Sequence, residues 1–213
     1  MQIKIFKEHD LADKLKTRKL YEQCFDEGKN EYIDYYYDVI IKRNVVVALI
    51  DDNDDVVSMV HLNPYLYSVK GKDFNVHYLV AVATDRNHRG RGYMKRVLTA
   101  AIEYLDKLNE PFCYIVPDTD ELKNTYSKLG FEVVCKFTLD KFSKFSYDIY
   151  PVKNNEYNFL MEKEQYYLNF ETEEYKNDLS SKKVMFKLLN PSLIGINSIK
   201  DLLNKHIYVC QEV

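Results

Sequence analysis

The sequence feature that most constrains the fold is an apolar strand that runs through a basic, glycine-bearing turn into an amphipathic helix. The strand ends in YLVAVA, and TDRNHRGRGYMKRVL follows as residues 84–98. Apolar residues then recur at helical spacing up to Leu108 and form one continuous face. A strand, a short turn and a helix in this order predict an α/β chain in which helices pack on a sheet.

The turn itself has the properties of an anion site. Gly90 and Gly92 have no side chain, so their backbone can approach a ligand closely. The first N–H groups of a helix lack intrahelical partners, and the helix dipole adds positive potential, which together suit phosphate. Cations at a helix start oppose that dipole unless an anion offsets them, so the pattern favours a phosphate-bearing ligand over a solvated helix start. The five cations are Arg86, Arg89, Arg91, Lys95 and Arg96.

Composition excludes several classes of function. The formal charge of −3 over 213 residues argues against a general nucleic-acid binder, and no apolar run approaches the 18 residues of a membrane span. The five histidines show no paired-ligand spacing, so we expect no metal site. The four cysteines lie far apart without a CxxC pair, and the sequence leads us to expect no secretory leader. We therefore expect a cytoplasmic protein with reduced thiols that acts without nucleic acid or membrane.

Periodicity predicts the order helix, helix, four strands, helix, strand, helix, strand up to about residue 140. The first helix covers residues 9–25, and the four strands form two hairpins that turn at Asp51–Asp55 and at Gly71. In the last helix, Asp118 with Glu121 predicts the N-terminal cap, and Gly130 predicts the end.

The pattern changes beyond the last of these strands and predicts three regions. Residues 1–145 form the main domain, and residues 146–182, rich in Lys, Glu, Asn and Tyr, form a polar, partly helical connector. Residues 183–213 form a small C-terminal strand–helix–strand unit.

Two motifs carry a family resemblance. RGRGYM resembles the acetyl-CoA signature R/Q-x-x-G-x-G/A of the GNAT acyltransferases, and YSKLGFEVV resembles their Y-x-x-x-G-F element. Both stand in the order usual for the family, one strand apart. More narrowly, the stretch from VSMVHL to RGRGYM is similar to the N-terminal domain of Eis-like acetyltransferases, which often carry a bulky residue where Met94 stands. Thr119 departs from the asparagine of many GNATs, the resemblance covers roughly residues 18–140, and the chain is short for the Eis-like group.

The resemblance implies an α/β chain with the GNAT fold, which is also classed as α+β. Its sheet is central, mixed and mostly antiparallel, with a splayed parallel strand pair, and helices flank it. The function implied is an N-acetyltransferase that moves the acetyl group of acetyl-CoA to a primary amine by direct attack in a ternary complex. The acceptor is a small-molecule or peptide amine, and a homodimer is common in the family. The alternative is a non-catalytic acyl-CoA-binding or sensor module.

The resemblance also implies the site residues. Tyr126 is placed by its motif to protonate the departing coenzyme A sulfur as general acid. The general base stays open: Val80 and Ala81 at the matching positions are apolar, and a lone histidine such as His77 is more often structural, so water can serve. Tyr78 is the other polar neighbour. The cofactor-binding residues implied are Val82, Ala83, Thr84, Arg89, Gly90, Arg91, Gly92, Tyr93 and Met94.

Overall fold

The computed structural model describes residues 1–25, 30–136, 148–152 and 183–203, together with 205, 207 and 209. The chain divides into two compact units. The first comprises Met1–Asn63 and Leu79–Lys107, and the second comprises Pro64–Tyr78 and Leu108–Val213.

Four strands contribute to the first unit. They are β1 (Gln2–Phe6), β2 (Val45–Ile50), the beginning of β3 (Val56–Val69) and the end of β4 (Lys72–Thr84), and they lie side by side in this order. β1 pairs with β2 and β2 pairs with β3, both antiparallel. The core positions of β2 are almost all fully buried, as expected for a central strand covered on both faces.

Among its described residues, the first unit has four α-helices, which are α1 (Leu11–Leu15), α2 (Arg18–Phe25), α3 (Asn30–Asp38) and α4 (Tyr93–Lys107). The predicted apolar stripe of α4 is its buried face, with Val97, Leu98, Ala101 and Leu105 all inaccessible to solvent.

The single helix predicted over residues 9–25 is in fact two helices, because Thr17 interrupts it. Its hydroxyl donates to the carbonyl oxygen of Lys14 at 2.6 Å and lies 3.0 Å from the hydroxyl of Tyr37. A threonine hydroxyl that competes for helix carbonyls in this way weakens the helical ladder, and the chain turns before α2 begins.

Four buried polar side chains, one of them on α3, form a hydrogen-bonded network. The Tyr36 hydroxyl is 3.0 Å from Nδ1 of His61 and donates to Asn63 at 3.2 Å, and the Asn44 amide donates to the same hydroxyl at 3.2 Å. Burial, with a smaller contribution from the charge of Lys14, lowers the pKa of His61 from 6.5 to about 3. The imidazole is therefore neutral in the folded protein.

The second unit holds the remaining strands, which are β5 (Phe112–Ile115), β6 (Glu132–Lys136), β7 (Ile149–Pro151) and β8 (Lys183–Leu188). The sheet continues in the order β3-β4-β5-β8-β6, with β7 pairing with β3. β5 and β6 each pair antiparallel with β8. β4 and β5 are neighbours connected through α4, which is the connection that a parallel pair needs. The helix α5 covers Asp120–Ser127. The predicted fold class, a mostly antiparallel sheet with one parallel pair and flanking helices, is confirmed.

The C-terminal segment contributes a strand to this sheet, because β8 lies between β5 and β6. Two 3₁₀ turns follow, at Pro191–Ile194 and Ile199–Asp201. Positions 145 and 182, the predicted region boundaries, lie outside the described residues, so the division into three regions stays a prediction.

Two strand predictions were wrong. β1 was missed because it is only five residues long, although its first four residues alternate between polar and apolar, and its pairing with β2 holds it. The two strands predicted on either side of Pro64 are one strand, β3. Pro64 falls after Leu62, the last residue paired with β2, and before Tyr67, the first paired with β7. The missing N–H of Pro64 therefore interrupts neither the pairing with β2 nor the pairing with β7, and β3 continues through it.

Candidate active site

Asp85, directly after β4, organises the start of the basic turn. Its Oδ1 accepts from the backbone N–H of Asn87 at 2.9 Å and lies 3.1 Å from Nδ1 of His88, and its Oδ2 accepts from the Gln23 amide at 3.0 Å. Burial opposes ionisation of Asp85, but these hydrogen bonds together lower its pKa. The carboxylate therefore holds residues 85–88 at the start of the turn, a role that the sequence reasoning missed although Asp commonly bonds the backbone two residues on.

The two glycines of the turn adopt the conformation that glycine favours. Gly90 and Gly92 both have φ +74°, and a Cβ added at either would meet no heavy atom within 4 Å. Glycine is required here by backbone conformation, while the space around it stays open. Gly92 accepts the first helical hydrogen bond, from the N–H of Arg96 at 3.2 Å, so the free N–H groups of α4 begin at this turn. Residues 89–92 are exposed, so the turn is accessible to a ligand.

The cations of the turn carry charge that the described residues do not neutralise. Arg86 donates to the carbonyl of Gln23 at 2.9 Å, Arg89 donates to the carbonyl of Thr84 at 3.3 Å, and Arg96 lies 5.8 Å from the ring centre of Tyr93. These contacts orient side chains without adding negative charge. In the described part of the chain, none of the five cations named above forms an ion pair with a carboxylate. The turn is therefore a positively charged surface that suits an anion.

The end of β4 departs from regular strand geometry. Ala81 has φ +50°, a left-handed conformation that is strained for a residue with a side chain. Beyond it, the carbonyl of Ala83 accepts from the Ser58 hydroxyl at 2.9 Å, and the same hydroxyl lies 2.9 Å from that of Thr84. An irregularity of this kind inside a strand turns the following backbone groups away from the regular ladder, where they can bind something else.

Tyr126 lies in the second unit, on α5. Only 4% of the residue is exposed, and burial, reinforced by the charge of Asp118, raises its pKa above the ordinary value. The phenol is therefore protonated near neutral pH and can donate a proton. Within the described residues its hydroxyl makes no hydrogen bond, while its carbonyl accepts from the N–H groups of Leu129 and Phe131.

The motif around Tyr126 has a clear local basis. The cap of α5 is Thr119, whose hydroxyl accepts from the N–H of Leu122 at 3.2 Å, so the predicted cap at Asp118 was one residue too early. Gly130 ends the helical segment with φ +84°, and a Cβ there would lie 2.7 Å from Nζ of Lys187. The backbone conformation therefore requires glycine at this position, whereas the lysine end could move away from an added Cβ.

Tyr78 and His77 are the polar residues near the positions where the family often carries its general base, and their surroundings differ. Tyr78 stacks on Tyr114 of β5, with ring centres 4.8 Å apart and planes 9° apart. His77 binds the carboxylate of Glu110, a residue that the sequence reasoning did not single out. The two residues are 33 positions apart, so no short-range sequence pattern connects them, and the pair is recognised only in the folded structure.

The predicted cofactor residues, from Val82 to Thr84 and from Arg89 to Met94, all belong to the first unit, and Tyr126 and His77 belong to the second. The described ranges contain no group of three or more His, Cys, Asp or Glu side chains placed to hold a metal ion. None of their helices is long and apolar enough to span a membrane.

Comparison with known proteins agrees with this geometry. Residues 6–134 match the model of the acetyltransferase (GNAT) domain family. A probable N-acyltransferase of unknown function from Enterococcus faecalis V583 has a similar structure, with a TM-score of 0.52 and 16% identity, over 62% of this chain and 32% of that one. The chain therefore spans about a third of that protein. A search of curated protein sequences finds no significant match.

Two further solved structures are similar over most of both chains. The aminoglycoside 6'-acetyltransferase type Ii has a TM-score of 0.57 and 14% identity, over 89% of this chain and 97% of that one. The GNAT family N-acetyltransferase YhbS from Escherichia coli, in complex with CoA, has a TM-score of 0.55 and 16% identity, over 97% of this chain and 86% of that one. At these identities the likeness concerns the fold.

Proposed function

Because the chain belongs to the GNAT acetyltransferase family, we propose that it transfers the acetyl group of acetyl-CoA to a primary amine by direct attack in a ternary complex. The observation that carries the proposal is the exposed turn at residues 89–92, which opens α4 with two left-handed glycines among unneutralised cations. A pyrophosphate fits this turn, since free helix N–H groups can bind its oxygens and the arginines can balance its charge.

The chemistry of the reaction suggests roles for the end of β4 and for Tyr126. Acetyl transfer from a thioester needs a neutral amine, a polarised carbonyl and a proton for the leaving thiolate. Backbone N–H groups near Ala83, after the irregularity at Ala81, would polarise the carbonyl. Tyr126, kept protonated by burial, would donate its proton to the sulfur. Val82 and Thr84 would bind the cofactor arm through their backbone.

The acceptor is proposed to be a small-molecule or peptide-borne primary amine. The resemblance to Eis-like enzymes and the fold shared with an aminoglycoside 6'-acetyltransferase make aminoglycosides and polyamines the first acceptors to screen.

The three cysteines in the described residues, Cys24, Cys113 and Cys135, are free thiols. We infer a cytoplasmic protein, and a homodimer stays a prediction.

The test compares binding with turnover. Calorimetric titration with acetyl-CoA and then CoA should give a Kd in the micromolar range, about −8 kcal/mol. Tyr126→Phe keeps the ring and removes the acidic proton, so we expect turnover to fall by about 100-fold or more while the Kd for acetyl-CoA changes little. Full turnover in this variant would contradict the role of Tyr126.

The same measurements separate the enzyme from the sensor alternative. A wild-type protein that binds acetyl-CoA but acetylates no amine in a broad panel would be a binding module. No binding of either nucleotide would mean that the basic turn takes a different anion.

A further inference from the structure

An open groove in the first unit lies along the outer face of α4, beside β1. It encloses about 320 Å³, a volume within the range of pockets that bind small molecules. Ile3 and Ala100 are half-buried, and the other lining residues are exposed, so a ligand can reach the groove from solvent. The lining residues are Ile3, Lys95, Arg96, Thr99, Ala100 and Glu103.

The charges of the groove are separated along the helix. Lys95 and Arg96 lie near the start of α4, and Glu103 lies about two helical turns further on. Over the described ranges, none of these three side chains forms an ion pair. Thr99 and Ala100 lie between the charged ends and are small, so they leave room for a flat ring. The groove therefore offers two positive charges at one end and a carboxylate at the other.

The positive end of the groove adjoins the turn that binds pyrophosphate in the proposed function. The backbone N–H of Arg96 donates to the carbonyl of Gly92 at 3.2 Å, so the groove begins one helical turn beyond that glycine. Arg86 is held on α2, where it donates to the carbonyl of Gln23 at 2.9 Å. Lys95 and Arg96 line the groove instead, and they remain for an anionic group beyond the pyrophosphate.

Coenzyme A carries a phosphate beyond its pyrophosphate. The pyrophosphate continues into an adenosine whose ribose bears a 3′-phosphate, so the nucleoside has to lie next to the turn. A phosphate suits two cations that have no ion-pair partner, and the amino group of adenine can donate to a carboxylate. Resting on the proposed function, we propose that this groove binds the 3′-phosphoadenosine end of acetyl-CoA. Lys95 and Arg96 bind the 3′-phosphate, and Glu103 accepts from the amino group of the adenine.

The phosphate contact is tested with two cofactors that differ only in this group. In calorimetry of the full chain, the Kd for acetyl-dephospho-CoA should be about 10-fold above that for acetyl-CoA, because charge-assisted bonds to the 3′-phosphate are lost. The double variant Lys95→Ala/Arg96→Ala should lose affinity for acetyl-CoA by a similar factor, while its Kd for acetyl-dephospho-CoA changes much less. Lys107→Ala removes an exposed cation of α4 outside the groove, and this matched control should change neither Kd.

The contact of Glu103 is tested with the free nucleotides adenosine 3′,5′-bisphosphate and guanosine 3′,5′-bisphosphate. Guanine has a carbonyl oxygen where adenine has its amino group, so the wild type should bind the adenosine compound about 10-fold more tightly. The adenosine compound should also compete with acetyl-CoA. Glu103→Gln should lose most of the preference, because an amide donates as well as accepts. Asp106→Asn removes an exposed carboxylate outside the groove and should keep the preference.

Each other outcome overturns part or all of the assignment. Equal affinity of the wild type for both cofactors, or an equal loss for both in the double variant, would exclude a 3′-phosphate site at Lys95 and Arg96. A preference for adenosine that survives in Glu103→Gln would remove Glu103 from the site. If adenosine 3′,5′-bisphosphate binds together with saturating acetyl-CoA, the groove takes a separate nucleotide.

Failure of the proposed function would give a different result. A wild-type protein that binds no acetyl-CoA refutes the phosphate site of the basic turn, whereas binding without discrimination between the two cofactors refutes only the groove. The comparison of the two cofactors in the wild type needs no variant. Since the substituted side chains are exposed, thermal unfolding of each variant should match that of the wild type.

Discussion

The conformation of Gly92 allows a direct test of whether the basic turn at residues 89–92 binds the phosphates of acetyl-CoA. Its φ of +74° lies in the left-handed region, which costs a residue with a side chain about 1–2 kcal/mol. A Cβ at this position meets nothing within 4 Å, so Gly92→Ala introduces backbone strain without a clash. Gly92→Val should have a larger effect, because β-branched residues are especially rare in this region.

The strain must appear in one of two measurable quantities. If the exposed turn relaxes in the free protein, acetyl-CoA has to restore the strained form on binding, and Kd rises by about 5- to 30-fold for 1–2 kcal/mol. If the turn keeps its conformation, the strain lowers the free energy of unfolding instead. Since residues 89–92 are exposed, we expect the change in Kd.

Gly71, in the turn between β3 and β4, is the matched control. It has φ +77° and equally open space for an added Cβ, but it lies outside the basic turn. Calorimetry should show a raised Kd for Gly92→Ala and an unchanged Kd for Gly71→Ala. Equal acetyl-CoA affinity in the wild type and in both Gly92 variants, with unfolding also unaffected, would refute the assignment of this turn as the phosphate site.

Two further predictions concern stability. Because burial lowers the pKa of His61 from 6.5 to about 3, the unfolded chain binds a proton that the folded chain does not, and the fold should lose up to about 2 kcal/mol between pH 6.5 and 5. Urea unfolding at both pH values should show a smaller loss in His61→Gln, and an equal loss would mean that other groups dominate. Thr119→Ala removes the cap of α5 and should cost about 1 kcal/mol, or about 2–4 °C in Tm, whereas Asp118→Ala should cost less. The reverse order would restore Asp118 as the cap.

Local patterns predicted the parts of the fold that local physics determines. The stripe of α4 and the end of the helical segment at Gly130 were read correctly because a few consecutive residues encode them. The cap at Thr119 was displaced by one residue, since Asp118 and Thr119 both have capping side chains and only the geometry decides between them. β8 illustrates the opposite case, because nothing in its own six residues indicates that it lies between β5 and β6.

The phosphate site and the general base differ in the same respect, since one depends on neighbouring residues and the other on distant ones. A phosphate site at a helix start needs a short run of glycines and cations, so the sequence from Arg89 to Met94 is sufficient to predict it. A base needs a partner that orients it, and that partner can come from any part of the chain that folds beside it. The contact between His77 and Glu110, whose Nδ1 and Oε1 atoms lie 2.6 Å apart, is recognised only in the folded chain. We therefore expect a phosphate site built from consecutive residues to be predictable from sequence, whereas a contact between residues 33 positions apart is not.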